Sequence, residues 1–372
     1  MKITYAAFLG AALPLFTLAL GSCCHCPCDC KDQRAVAPAA VAPAVVAGAA
    51  APAVVPEAAP AAEAPSSEPV VASDARKIPL GINGSLAGVR LLSPSSAWNQ
   101  PVDKTPLDPK SAEMIAGIGA DAPLHPDFGT EYHGAPWGIP YVVVAGNTPR
   151  VKVQFDYDDE SDKGPYPIPA DLQIENSPRG KIPEGDDNDQ HLLIIDRDHA
   201  KLYELYLLHR NGTTWKAGSG AIWDLLGDTQ RPAGWTSADA GGLPIMPGLV
   251  RYDEAVTQGK IEHALRFTTK NTRKAYTAPA THWASKKTDT NLPPMGARLR
   301  LKASVEPEDF PAQMRPVIVA LKKYGMILAD NGGSLFLSGA PNPGWSDNDI
   351  ESLKKLHGRD FEVVQLGKVT TP

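Results

Sequence analysis

Between residues 138 and 210 the chain alternates short apolar runs with polar breaks marked by Gly, Pro and Asn, a pattern of strands rather than helices. "GIPYVVV" (138–144) and "VKVQFDY" (151–157) predict strands, and the "AGNTPR" between them reads as a hairpin loop. "HLLIIDRD" (191–198) and "KLYELYLLHR" (201–210) predict a further pair around a tight turn at His199–Ala200, with enough Leu, Ile and Tyr to be buried on both faces. "EHALRFTT" (262–269) and "ARLRLKAS" (297–304) alternate, so each is expected to turn one face to a core and the other to solvent or a cleft. In the first of these, His263, Leu265 and Phe267 share a face, which makes His263 a hydrogen-bonded core residue and leaves Arg266 for the cleft. "MILADNGG" (326–333), "SLFLSGA" (334–340) and "FEVVQLG" (361–367) add three strands.

Helical periodicity is sparser. "SAEMIAGIGA" (111–120) opens on a candidate N-cap serine, and "GAIWDLLG" (220–227) reads as a short helix. Residues 306–325 begin acidic, end basic and stop at Gly325, as the helix dipole prefers. "SDNDIESLKKLHG" (346–358) starts with Ser346 and also ends at a glycine. Many short strands and a few late helices predict a β-rich α+β domain with an antiparallel, sandwich-like core and peripheral helices, the last near the C-terminus.

The first 77 residues break both periodicities. Lys2 precedes an apolar run over 5–20 that is too short to span a bilayer, and the run ends in "LGSC". This resembles a lipobox, so residues 1–22 are expected to be a bacterial lipoprotein signal peptide and Cys23 the lipidated residue. Cys24 follows where an Asp would favour retention at an inner membrane, so the expected place is the outer membrane or cell surface. All 5 cysteines lie in "CCHCPCDC" (23–30), so no disulfide staples the rest. With His25 they supply the thiolates and imidazole that zinc or copper(I) takes, on a stretch with no scaffold to fix geometry. Residues 35–72 are almost entirely Ala, Pro and Val, a semi-extended linker. The remainder, 78–372, is expected to be one globular domain.

Charge redirects attention to one segment. The chain carries a formal charge of -6, yet residues 248–302 hold eleven Lys/Arg against four Asp/Glu. An anionic polysaccharide is the partner this balance suggests for an exported protein; nucleic acid does not fit a pI near 5.9. No P-loop, Gly-x-Ser-x-Gly elbow, His-Glu-x-x-His helix or dinucleotide fingerprint is present, so no cofactor is expected. The acidic loops "DYDDESD" (156–162) and "EGDDNDQ" (184–190) offer calcium-type ligands without matching an EF-hand.

The chemistry concentrates in "RPAGWTSADAGGLPIMPGLVRYDEA" (231–255). Hydrolysis of a glycosidic bond needs two carboxyls, and Asp239 with either Asp253 or Glu254 is the expected pair, since the two adjacent acids diverge on a regular element. Elimination from a uronate needs a cation and a base, which Arg251, Arg266, His282 and Tyr276 supply. Trp235, Trp137, Trp283, Tyr276 and Arg231 are the candidate sugar contacts, aromatic faces suiting the apolar side of a pyranose. Glu204 in a strand and Asp330 in "ADNGG" are secondary candidates, the latter also a plain hairpin signal.

The same stretches, from "HLLIIDRD" through "RPAGWTSADAGGLPIMPGLVRYDE", "HALRFTT" and "PPMGARLRLKAS" to "YGMILADNGG" and "DFEVV", resemble a family of exported bacterial proteins of unassigned function. The resemblance implies no catalytic residue. The expectation is a lipid-anchored envelope protein acting on a carbohydrate polymer as a glycoside hydrolase or polysaccharide lyase. The alternatives are a non-catalytic glycan- or peptidoglycan-binding lipoprotein and a structural envelope protein.

Overall fold

A computed structural model describes residues 72–185 and 189–372 of the chain. Two units divide it, Met1–Ala64 and Pro65–Pro372, and every described residue belongs to the second. The expected signal peptide, Cys23, the cysteine cluster and the linker through residue 71 lie outside the described residues, as do residues 186–188 of the second acidic loop. The described chain opens with a helical turn, Ala72–Ala75, whose Ala75 is buried.

The fold is β-rich α+β, with few helices. One sheet has five strands in the order Gly81–Ile82, Tyr141–Val144, Leu192–Asp196, Lys201–Tyr206 and Ser219–Asp224. Period-two alternation sorts its side chains cleanly. Tyr141, Val143, Leu193, Ile195 and Leu202 pack with Ile245, Met246 and Leu249. Val142, Val144, Leu192, Ile194 and Leu205 pack on the opposite face with Ile168, Leu172 and Trp215. The expected turn at His199–Ala200 joins the central pair, with Ala200 at positive φ.

A second sheet has six strands in the order Phe361–Val363, Arg298–Leu301, Met326–Asn331, Leu265–Thr269, Phe336–Ser338 and His125–Asp127. Its apolar face shares a core with the helices Ser111–Ile118 and Arg315–Lys323. Arg298 and Arg300 hold the 97–105 segment against it by donating to the carbonyls of Ala97, Gln100, Val102 and Thr105. A three-stranded sheet, Val153–Phe155, Thr214–Ala217 and His209–Asn211, lies apart from both in pairing.

Several expectations are corrected. The sheets are mixed rather than antiparallel: Tyr141–Val144 runs parallel to Leu192–Asp196, and Leu265–Thr269 parallel to Met326–Asn331. The 138–157 hairpin does not form, because both edges of the doubly buried Tyr141–Val144 strand are taken by other partners and Val153–Phe155 joins Thr214–Ala217. Residues 219–224 are a strand, not a helix. Ala221 and Trp223 face one core cluster while Ile222 packs against another, a period of two that six pairs with Lys201–Tyr206 enforce. The 306–325 helix is reduced to Arg315–Lys323, because Pro311 and Pro316 lack the N–H a continuous helix needs and Pro316 is tolerated only in the first turn. Ser346 caps its helix by accepting from the Asp349 amide, whereas Ser111 instead accepts from the Val363 amide.

Candidate functional site

The segment 231–255 is an inner seam rather than a surface loop. It is stitched to the six-stranded sheet by Gly241 N–H to the Ala329 carbonyl (2.8 Å) and Val250 N–H to that of Ser338 (3.1 Å). It is stitched to the five-stranded sheet by Glu204, whose carboxylate accepts from the amides of Ile245 and Met246 (both 2.9 Å) and from Trp223 Nε1 (3.0 Å). Burial outweighs those donors and pushes the Glu204 carboxyl up to about 7. Gly242 has φ +69°, and a Cβ there would run into the Thr281 side chain and the Trp235 carbonyl. The seam covers the polar face of Leu265–Thr269, so that strand is buried along its whole length and Arg266 faces no open cleft.

Beneath the seam, Arg266 grips Asp239 with two parallel hydrogen bonds, Nε to Oδ2 at 2.7 Å and Nη2 to Oδ1, and its remaining nitrogen reaches Ser338. Asp239 has no exposed surface. At the C-terminal end of the neighbouring parallel strand, half-buried Asp330 accepts from the amides of Ala240 (3.1 Å) and Asn331 (2.6 Å). Burial, together with the nearby Asp239 carboxylate, raises the Asp330 carboxyl well above the usual carboxylate range; Arg266 offsets this only in part.

Two histidines flank the same strip of backbone. His282 Nδ1 lies 2.8 Å from the Ala240 carbonyl. A carbonyl only accepts, so neutral His282 carries its proton on Nδ1 and its lone pair on Nε2. Its ring stacks on Trp283 at 4.6 Å, and Trp283 lies nearly parallel to Tyr276 at 6.3 Å. On the other side, His191 Nε2 meets the Ala238 carbonyl (3.2 Å) and Nδ1 meets Glu175 (2.5 Å). Burial alone would lower His191, but Glu175 wins and holds it up at about 9. Tyr206 lies 5.2 Å from the His191 ring, its phenol raised by burial and by surrounding carboxylates that include Asp189 and Asp330.

The other sequence candidates occupy separate clusters. Arg251 pairs with Glu254 (2.6 Å), whose other oxygen meets His263 Nε2 (3.0 Å). Although burial disfavours its charge, Arg251 and His263 hold Glu254 down to about 2. Asp253 points the other way, accepting from Ser85 Oγ (3.1 Å) and the Leu86 amide (2.8 Å). The adjacent acids therefore diverge as expected, and neither is brought to Asp239, which engages a different cation. Arg231 is spent on Asp162 (2.8 Å) and lies between the rings of Trp223 and Trp235. Trp137 donates to Asp127 (3.2 Å) beside Tyr132, in a cluster of its own. Three of the five acids of 156–162 are likewise engaged: Asp162 by Arg231, Glu160 by the Thr236 amide and Asp158 by Lys163.

Of the candidates, then, Asp239 and Arg266 lie beside Asp330, His282 is joined to it through Ala240, and Trp283 and Tyr276 continue outward from His282 by ring contacts, whereas Asp253, Glu254, Arg251, Arg231 and Trp137 belong to other clusters. His191, Glu175 and Tyr206 carry no sequence signal, being embedded in ordinary strand and loop text. Among the described residues no group of three or more His, Cys, Asp or Glu is arranged to hold a metal ion, and no helix is long and apolar enough to cross a membrane. No protein-family model, curated protein or solved structure matches the chain.

Proposed function

We propose that this chain cleaves glycosidic bonds in a carbohydrate polymer, with Asp330 as proton donor, His282 as base and Trp283 as the sugar platform. One observation carries the reading: Ala240 holds both titratable groups, its N–H donating to Asp330 and its carbonyl accepting from His282 Nδ1. That arrangement sets a carboxyl inclined to keep its proton across one residue of backbone from an imidazole whose Nδ1 is engaged and whose Nε2 is left for a proton, the division of labour acid–base catalysis needs. Burial and the Asp239 carboxylate sustain the raised Asp330 carboxyl against the opposing Arg266; bound by Arg266 on both oxygens, Asp239 is a poor nucleophile. Asp330 would protonate the leaving oxygen, while His282 would take a proton from water or from a sugar carbon.

The two larger sheets act in this reading as layers of a sandwich, with residues 231–255 between them. "LGSC" and the Ala/Pro/Val stretch support an envelope protein tethered through Cys23. Wild-type chain and Asp330→Asn should be compared on neutral and acidic polysaccharides by new reducing ends and by absorbance at about 235 nm, which distinguishes hydrolysis from elimination. A drop of roughly 100-fold or more in the variant is expected; equal turnover by both sinks the assignment. Retained binding without turnover in either would favour the glycan-binding module.

A further inference from the structure

From residue 263 to 288 the chain contains no Asp or Glu but six Lys and Arg, of which, among the described residues, only Arg266 is in an ion pair. Arg273 is half-buried and directed at the Thr290 carbonyl. Four cations remain, Lys270, Lys274, Lys286 and Lys287, with no acidic partner within ion-pair distance among the described residues. Exposed lysines are ordinary; these stand out by their placement.

The segments carrying them run side by side. Lys274 N–H donates to the Lys287 carbonyl (2.6 Å), and Lys287 Nζ reaches Asn271 (2.6 Å). Both are fastened to one residue, Asn331, whose side chain accepts from Thr272 (2.7 Å) and donates to the Ala284 carbonyl (3.0 Å). Asn331 follows Asp330 in the strand. Lys274 also sits over the Trp283 ring at 6.0 Å, so the cations continue directly from the aromatic platform. Lys110, which donates to Thr290 (2.8 Å), adds a fifth charge from another element. Asp289 is the nearest acid in sequence and is turned to the Asn291 amide.

We infer that this strip is the binding track for an acidic polysaccharide, one whose carboxylates or sulfates recur along the chain and meet successive lysines while a sugar ring stacks on Trp283. The assignment rests on the catalytic reading above only for the place of cleavage. Lysine suits such a partner, being a mobile point charge that tolerates the variable spacing of a flexible polymer. A glycan is favoured over other polyanions because the strip ends at a stacked Trp283–Tyr276 pair, an aromatic face suited to the apolar side of a sugar ring.

The test uses the full chain carrying Asp330→Asn, so that bound polymer is not cut, and follows binding to polygalacturonate, dextran sulfate, neutral dextran, duplex DNA and anionic phospholipid vesicles across a salt series. Tighter binding of polygalacturonate or dextran sulfate than of dextran is expected, by about tenfold or more at low salt and declining as salt screens it. The ratio between the two acidic polymers tells carboxylate from sulfate. Lys274→Gln, Lys286→Gln and Lys287→Gln together should weaken it about tenfold. Lys104→Gln, Lys152→Gln and Lys181→Gln, which remove equal charge elsewhere, should change it little. Equal binding of dextran, equal loss in the control set, or preference for DNA or vesicles overturns the inference. A neutral polymer cut in an Asp330-dependent way would overturn the track and spare the catalytic reading; an acidic one held by the lysines but never cut would do the reverse.

Discussion

At the level of single residues, the structure separates groups that do chemistry from groups that hold charge. Asp239→Ala would leave the Arg266 guanidinium buried and unpaired, at a cost of about 3 to 5 kcal/mol. That variant should lose activity and thermal stability together, and intact stability would show that the pair is not structural. Asp330→Asn is the cleaner probe. The amide has one acceptor where the carboxyl offers two to the Ala240 and Asn331 amides, so only about 1 kcal/mol of stability should go. Because the Asp330 carboxyl is raised, activity should hold at pH values where an ordinary aspartate is already ionised and fall as pH rises through its own value. A pH profile in which Asp330→Asn keeps some residual activity but still shows that descending limb would assign it to another group. His282 and Trp283 are readable because they adjoin in sequence. Asp330 is only half readable: "ADNGG" is also turn text, and the neighbours that raise its carboxyl, Asp239 above all, come from a distant stretch of the chain.

At the level of elements, Glu204 shows how a buried acid can organise a loop. It sits on the same face of Lys201–Tyr206 as Leu202, where a strand residue would normally be apolar; two of its three donors fix the chain at Ile245 and Met246, and the third is Trp223 Nε1 on the adjacent strand. Glu204→Ala leaves those donors buried without an acceptor. About 2 to 4 kcal/mol of stability should be lost, read as a drop in Tm, and a variant melting like wild type would refute the role. Strand positions are largely legible because two-sided burial writes continuous Leu, Ile and Val into the text. Pairing is not: "AGNTPR" has the composition of a hairpin loop, yet the strand after it, Val153–Phe155, joins a different sheet. Residues 219–224 mislead because "AIWDLL" satisfies either period over so short a run, and only the neighbouring strand decides. The polar face of Leu265–Thr269 was expected to be open. The segment that covers it is contiguous in sequence with Asp253 and Glu254, and no local pattern reveals which loop closes over which strand.

For the molecule as a whole, the buried titratable groups set a pH dependence whose sign is fixed by the direction of their shifts. Glu204 is raised to about 7, so the stability it contributes is full below its unfolded value of about 4.5 and is lost as pH rises through 7. His191 is raised to about 9, so its contribution is full below about 6.5 and lost as pH climbs through 9. Asp330 has the same sign as Glu204. Glu254 is opposite: held down to about 2, it contributes above about 4.5 and fails only as pH falls through 2. These terms combine to place the greatest stability on the acid side of neutrality, with Tm declining from about pH 5 to pH 9. His191→Gln should lower stability at pH 5 by on the order of 3 kcal/mol, read as a drop in Tm, and flatten the decline between about 6.5 and 9, because the proton that His191 gives up there is no longer part of the balance. A decline of unchanged steepness in that variant would mean that the Glu175 contact does not hold the imidazolium, and the loss of stability at high pH would belong to Glu204 and Asp330 instead.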